Sequence, residues 1–214
     1  MKTKIIAVAQ VKGGSGRSTL ATTLAGELSK RGDTVLIDCD MPQGTSASWY
    51  AMRLDAGRTG KLHLDTADSH LDAMQKTELH TGKTQFIVLD GPPRIAELTR
   101  AMVLLADLVL VPAGASMADL WATGDVLAMV TEAKAEAHQG AAGLDAASRV
   151  HQPSQGADRA GQGRAGHQGA GHHHGLAGGL IDALGAGLTA AETADAQARA
   201  EVQALIAEVC AILA

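Results

Sequence analysis

A glycine-rich run near the N-terminus carries the clearest chemical pattern in the sequence. It reads Lys12-Gly13-Gly14-Ser15-Gly16-Arg17-Ser18-Thr19 and lies between an apolar strand and a predicted helix. Glycines allow consecutive backbone N–H groups to curl around phosphate oxygens, and the N-terminus of the next helix adds the positive end of its dipole. Ser18 stands where a loop hydroxyl can bind Mg²⁺. The run therefore predicts a phosphate-binding loop; the alternative is an ordinary glycine-rich turn.

Three carboxylates at the ends of later apolar strands are suited to act on such a phosphate. Asp38 and Asp40 end the second strand in Asp38-Cys39-Asp40-Met41-Pro42-Gln43-Gly44, and Asp90 follows a strand of residues 85–89. Residues two apart in a strand point to the same side, so Asp38 and Asp40 can face one metal and one attacking water. The alternative for each carboxylate is a solvated turn at a strand end. Their order after the glycine-rich run favours the phosphate site.

Alternating strands and helices must position these groups. The predicted strands cover residues 5–10, 34–37, 61–66, 85–89 and 108–111. The predicted helices cover residues 19–30, 46–54, 69–80, 95–105, 117–137 and 192–213. Continuously apolar strands that alternate with helices are typical of a parallel sheet covered on both faces. We therefore expect an α/β fold with a doubly wound, mostly parallel sheet.

The alternation fails between residues 138 and 179. This segment holds eleven glycines and six of the nine histidines, but only Leu144, Val150 and Leu176 as large apolar residues. Such a composition buries too little apolar surface to offset the entropy of ordering, so irregular chain is expected. Two explanations stay open, a frame-shifted stretch of the gene and a genuine flexible insert. The histidines of residues 172–174 are expected to be a by-product of this segment, not a metal site.

Composition limits the remaining classes of protein. The chain has 214 residues with one Phe, one Tyr and two Trp, which fits a single domain with a mainly aliphatic core. A net charge of −5 argues against a surface that is uniformly basic for nucleic acid. Cys39 and Cys210 form no C-x-x-C pair, so neither a disulfide framework nor a zinc or iron–sulfur site is signalled. The sequence shows no signal peptide and no membrane-spanning run, so a cytoplasmic protein is expected.

The octet of residues 12–19 resembles the deviant Walker A motif of the ParA/MinD family of P-loop ATPases, K-G-G-x-G-K-[ST]-[ST]. Arg17 stands where that pattern has its usual lysine. The run from Asp38 to Gly44 is similar to the family's switch I signature D-x-D-P-Q-G, with Met41 inserted, and Asp90 followed by Gly-Pro-Pro resembles Walker B and switch II. Residues 108–121 are similar to the short ParF-like partition ATPases. Trp121, at the end of that stretch, suits either core packing or a contact surface.

This resemblance implies one P-loop ATPase domain over residues 1–214, well matched at residues 1–137 and again at 180–214. It implies ATP and Mg²⁺ as cofactors. The nucleotide would lie on Gly13, Gly14, Ser15, Gly16, Arg17, Ser18 and Thr19, and the metal on Ser18, Asp38 and Asp90. Catalytic roles fall to Lys12, which would reach the phosphates of a partner subunit, and to Asp40, which would position the attacking water.

The implied function is that of a partition ATPase that hydrolyses ATP, forms a homodimer on ATP and is stimulated by a ParB- or ParG-like centromere-binding protein. Nonspecific DNA is a further implied partner, with a location on the nucleoid. No membrane is expected, because the last helix has no basic residue after Arg199. Two alternatives stay open. Arg17 would permit a nucleotide-dependent switch without turnover, and residues 138–179 would suit an inactive product of a damaged gene.

Overall fold

A parallel β-sheet with helices on both faces forms the framework of the chain. The computed structural model describes residues 2–41, 43–93, 96–113, 117–140, 147–151 and 183–214. The strands are β1 (Lys4–Val8), β2 (Thr34–Asp38), β3 (Leu62–Thr66), β4 (Phe86–Asp90), β5 (Leu108–Pro112) and β6 (Ala147–His151). The helices are α1 (Arg17–Leu28), α2 (Thr45–Asp55), α3 (His70–His80), α4 (Ala96–Leu105), α5 (Met117–Gly140) and α6 (Ala196–Leu213).

The sheet has the strand order β3-β2-β4-β1-β5-β6, and its described pairings are all parallel. Strands β2, β4 and β5 are buried along their whole length. Their continuous Val, Ile and Leu content explains this, since parallel strands are covered on both faces and need no alternation of apolar and polar residues. The doubly wound α/β fold predicted from the sequence is confirmed.

Two apolar clusters pack the two faces of the sheet. Ile6 and Val8 point to one face, where they join α1, α2 and α6. Ala7 and Ala9 point to the other face, where they join α3, α4 and α5. This division follows from the period of two along a strand. It places α1, and the loop before it, on the same side of the sheet as α2 and the C-terminal helix.

A buried arginine joins the C-terminal part of the chain to α2. Arg53 donates to both carboxylate oxygens of Glu192, at 2.6 and 3.2 Å, and to the backbone carbonyl of Gly187 at 2.8 Å. Glu192 ends a short 3-10 helix, Ala190–Glu192, that precedes α6. The apolar stripe predicted on α6 packs onto the α1 side of the core, with Val209 almost fully buried. The C-terminal helix is therefore a packed element of the domain.

The irregular chain expected throughout residues 138–179 is wrong at two places, residues 138–140 and Ala147–His151. Helix α5 continues to Gly140, and β6 (Ala147–His151) pairs with β5 at the sheet edge, with Val111 opposite Val150. An edge strand is held by backbone hydrogen bonds to its neighbour, so it can form without the apolar pattern that prediction relies on. Residues 141–146 and 152–179, including the histidines 172–174, lie outside the described residues. The frame-shift hypothesis stays a prediction.

The indole of Trp121 is 70 % exposed, so this side chain belongs to the surface and not to the core. Over the described part of the chain, every helix is too short or too polar to cross a bilayer.

Candidate functional site

The glycine-rich loop leads from β1 into α1 and forms an open cradle. Gly14 and Gly16 adopt φ values of +72° and +84°, in the left-handed region that glycine tolerates without strain. A Cβ added at Gly13, Gly14 or Gly16 would meet no atom within 4 Å. Helix α1 has no side-chain cap at Gly16, so the N–H groups of its first turn are left for another acceptor. The loop therefore offers space and backbone donors for an anion.

Arg17 is buried against the backbone beneath this cradle. Its Nη1 donates to the carbonyls of Gln10 and Lys12, at 2.7 and 2.5 Å, and to Ser15 Oγ at 3.3 Å. Its Nε donates to the carbonyl of Gly91 at 3.0 Å, just after β4. Burial lowers the pKa of the guanidinium, against the raising effect of nearby Asp90 and Asp40. Arg17 thus ties the glycine-rich loop to the segment after β4.

Asp38 and Asp90 lie side by side at the carboxyl ends of β2 and β4. They are register partners in the sheet, and both are fully buried. Asp38 Oδ1 accepts a hydrogen bond from the Asp40 N–H at 3.0 Å, and its Oδ2 accepts from the Ala47 N–H at 2.9 Å. Both oxygens therefore hold the backbone around the turn into α2. The predicted contact of Asp38 with Mg²⁺ stays a prediction, and positioning of this turn is what its geometry shows.

Asp90 has one oxygen bonded and one without a partner. Its Oδ2 accepts from Ser46 Oγ at 2.7 Å, whereas its buried Oδ1 has no hydrogen-bond partner among the described residues. Burial raises the pKa of Asp90 to about 7, although hydrogen bonds from the Ser46 and Ser18 hydroxyls lower it. A buried carboxylate oxygen without a partner, beside a loop hydroxyl, fits the oxygen ligands that Mg²⁺ takes in phosphate sites. The predicted pair Ser18 and Asp90 is thus brought together.

The described residues contain no group of three or more His, Cys, Asp and Glu side chains arranged to hold a metal. Mg²⁺ usually binds one or two carboxylates and takes its other ligands from water and substrate phosphates. The acidic residues alone therefore do not form a complete metal cage.

Asp40 begins a tight turn beside Arg17. Its carbonyl accepts from the N–H groups of Gln43 and Gly44, at 2.9 and 2.8 Å. Its carboxyl group is nearly buried. Burial raises its pKa, the charge of Arg17 lowers it, and the charge of Asp38 raises it. The structure thus places this predicted catalytic carboxylate near the cradle. Lys12 and Thr19 are half-buried at the two ends of the loop.

Two residues of the site carried no clear signal in the sequence. Ser46 lies in the first turn of α2, where serine is common for local reasons. Gln10 is 1 % exposed, and its Nε2 donates to the Pro112 carbonyl at 3.1 Å and to Thr123 Oγ1 at 3.3 Å. It connects the start of the loop to β5 and α5. The one weak hint at Gln10 in the sequence is its place as a polar residue at the end of an apolar strand, because buried polar groups need partners.

A family model described as ATPase MipZ matches residues 4–149, well over half of the chain, including the loop and all three aspartates. The chain belongs to the MipZ family of ATPases. The ParA/MinD-type recognition made from the sequence is confirmed.

Curated relatives of this MipZ-family chain are named maintenance of carboxysome distribution protein A. The protein from Halothiobacillus neapolitanus is 31 % identical over 132 residues, which is 60 % of this chain and 59 % of that protein. The protein from Gloeobacter kilaueensis is 33 % identical over 118 residues, 55 % of this chain and 52 % of that protein. The matched region thus spans little more than half the length of these relatives.

Solved structures share the fold at low sequence identity. An ATP complex of Cyanothece McdA has a TM-score of 0.65 at 14 % identity, covering 97 % of this chain and 96 % of that one. A plasmid partition protein of Borrelia burgdorferi bound to AMPPNP has a TM-score of 0.51 at 24 % identity, covering 63 % and 72 %. MinD of Pyrococcus horikoshii with Mg-ADP has a TM-score of 0.50 at 16 % identity, covering 61 % and 66 %.

Proposed function

We propose that this chain binds ATP with Mg²⁺ and hydrolyses it to ADP and phosphate. The observation that carries the proposal is the Oδ1 atom of Asp90, a buried carboxylate oxygen beside the open glycine loop that has no hydrogen-bond partner among the residues the structure describes. Membership of a family of ATPases supports the same reading. A phosphate group on the loop, with its metal at Asp90, accounts for the cradle, the uncapped helix and the unpaired oxygen together.

Binding begins with the backbone of residues 13–19, whose N–H groups and helix N-terminus face the phosphates. The guanidinium of Arg17 exchanges some of its backbone carbonyl partners for phosphate oxygens, where its charge and forked geometry suit an anion. Ser18 and Asp90 hold the metal side. Bound Mg²⁺ supplies a positive charge that neutralises the phosphates during transfer.

Hydrolysis uses the turn after β2. Asp40 orients the attacking water, and Asp38 keeps Asp40 in place by accepting its N–H. Lys12 neutralises charge on the phosphates, and the resemblance to ParA and MinD proteins implies that it does so across an ATP-dependent homodimer. Transition-state charge on the phosphoryl group is then met by fixed donors, which is how phosphoryl transfer is catalysed.

The wider role we propose is that of a positioning ATPase in the cytoplasm. Two curated relatives are named for carboxysome distribution, and one structural neighbour for plasmid partition. Both names describe the distribution of a large cargo. A cargo-bound partner protein, of the ParB or ParG kind or its counterpart on another cargo, would stimulate the hydrolysis. Nonspecific DNA is the surface on which such a dimer would act.

The test is ATP hydrolysis by the parent chain, a Lys12→Ala variant and an Arg17→Lys variant. We expect Mg²⁺-dependent turnover in the parent and a loss of about 10²-fold or more in Lys12→Ala. Folded parent protein that neither binds nor hydrolyses ATP would reject the proposal, and the absence of a cooperative melt would favour the product of a damaged gene.

A second candidate function is a nucleotide-dependent switch without turnover. The observation that favours it is the engagement of Arg17 with four protein groups, which holds its charge away from the open cradle. In that case the parent binds ATP without hydrolysing it, and Arg17→Lys gains turnover. The same three proteins therefore separate the two functions.

A further inference from the structure

Ser46 contributes a second hydroxyl to the metal side of the site from outside the glycine loop. It lies in the first turn of α2, is fully buried, and its Oγ–H donates to Asp90 Oδ2 at 2.7 Å. The Ser18 hydroxyl, at the start of α1, also lowers the pKa of this carboxyl group. One buried carboxylate is thus approached by hydroxyls from two different helices.

We propose that Ser46 is a positioning residue that fixes the orientation of Asp90 so that its Oδ1 is presented to the metal and its water shell. The proposal rests on the proposed function, since it assigns a role within the same site. It concerns metal affinity and leaves the nucleotide contacts of the loop to other residues.

The torsion of an aspartate carboxyl group is broad, so neighbouring groups must define it. In the described structure, the hydroxyl of Ser46 bonds one oxygen of Asp90 and leaves the other without a partner. The backbone that carries the Ser46 hydroxyl is itself held in place, because the next residue, Ala47, donates its N–H to Asp38 on the neighbouring strand. Residues that orient a metal-binding carboxylate in this way set metal affinity by about 10- to 100-fold.

The same contact joins α2 to the metal side of the site. The turn of residues 40–44 leads directly into α2, and Asp40 begins that turn. A rearrangement of the turn that shifts the start of α2 also shifts the Ser46 hydroxyl and hence Asp90. Metal affinity is therefore expected to report on the conformation of this turn.

The experiment measures Mn²⁺ binding by electron paramagnetic resonance in the presence of ADP, and ADP affinity separately in EDTA. The variants are Ser46→Ala, which removes the hydroxyl, and Ser46→Thr, which keeps it. Ser48→Ala is the matched control, because Ser48 is exposed on the same helix and its hydroxyl donates to the backbone carbonyl of Gly44, away from Asp90. Circular dichroism confirms that each variant is folded.

We expect Ser46→Ala to weaken Mn²⁺ binding about 10-fold and to leave ADP affinity in EDTA unchanged, with Ser46→Thr within about threefold of the parent. Ser48→Ala should match the parent. Mn²⁺ affinity unchanged in Ser46→Ala would overturn the proposal, as would an equal loss of ADP affinity in EDTA, which indicates general damage. A parent that binds no ADP would reject the proposed function itself, a result distinct from either.

Discussion

Replacement of Asp90 by asparagine should change the free energy of unfolding in opposite directions at acid and at alkaline pH. Asp90 is fully buried, and its pKa is raised to about 7 in the folded chain from an ordinary value of 3.8. Folded protein therefore binds a proton that unfolded protein releases, and the free energy of unfolding falls as pH rises from about 4 through about 7. Above that range, the ionised carboxylate is buried at a cost on the order of 4 kcal/mol.

The change with pH is the quantity to measure. Asp90→Asn removes the titration, and its amide adds a cost of about 1–3 kcal/mol for an unpaired donor that is the same at every pH. The linkage relation then predicts that the unfolding free energy of Asp90→Asn, minus that of the parent, increases by about 2.5 kcal/mol between about pH 5 and about pH 8. Asn should thus be neutral or destabilising in acid and stabilising in alkali.

The assay is urea unfolding of the nucleotide-free chain in EDTA at both pH values. Asp55→Asn serves as the control for the loss of one carboxylate, because Asp55 is exposed at the end of α2. A difference between Asp90→Asn and parent that is the same at both pH values would refute the reasoning, since Asp90 would then be ionised in the folded state throughout.

Three further predictions concern Arg17, two glycines and the pair of Glu192 with Arg53. Arg17→Lys should lower the free energy of unfolding of the nucleotide-free chain by about 1.5–3 kcal/mol, because lysine has no Nε donor for the Gly91 carbonyl. Urea unfolding that is unchanged in this variant would contradict the importance of that contact. Gly91→Ala should lower the free energy of unfolding by about 1–3 kcal/mol, because the added Cβ would lie 2.9 Å from the carbonyl oxygen of Val8 in β1. Gly124→Ala, whose Cβ would meet open space on α5, is its control and should raise the free energy of unfolding by about 1 kcal/mol in thermal melts. Glu192→Gln should destabilise by about 2–3 kcal/mol at neutral pH by weakening the pair with Arg53. Burial raises the pKa of Glu192, but the hydrogen bonds from Arg53 and the Thr189 N–H, with the charges of Arg53 and Lys30, together lower it below the ordinary value of 4.5. The destabilisation should therefore fade as pH falls below 4.5, and a difference that stays the same in acid would contradict the pairing.

The sheet and its helices could be predicted because their signals are local. The run Val35-Leu36-Ile37 is apolar without alternation, and its short length between polar residues favours a strand covered on both faces. The glycine loop could be predicted for a similar reason, because phosphate binding by backbone N–H groups needs glycine at fixed places next to a helix start. Predicted bounds differ from the observed ones by a few residues at most in these elements.

Contacts between distant residues could not be predicted. The bond from Ser46 to Asp90 and the one from Arg17 to Gly91 join residues that lie 44 and 74 positions apart. Whether a serine in a helix turn faces solvent or a carboxylate depends on how the helix packs, which no local pattern encodes. Strand β6 was missed for a related reason, since its pairing with β5 comes from backbone bonds and its sequence is weakly apolar.

Nucleotide titration of the purified chain tests the central claim most directly. Calorimetry with ATP is carried out with Mg²⁺ and then in EDTA, on protein shown to be folded by a cooperative melt. The structure predicts saturable binding at or below millimolar nucleotide that weakens when the metal is removed, because Asp90 Oδ1, which no described residue bonds, is offered to the metal. Folded protein that takes up no ATP with Mg²⁺ at millimolar concentration would contradict the claim.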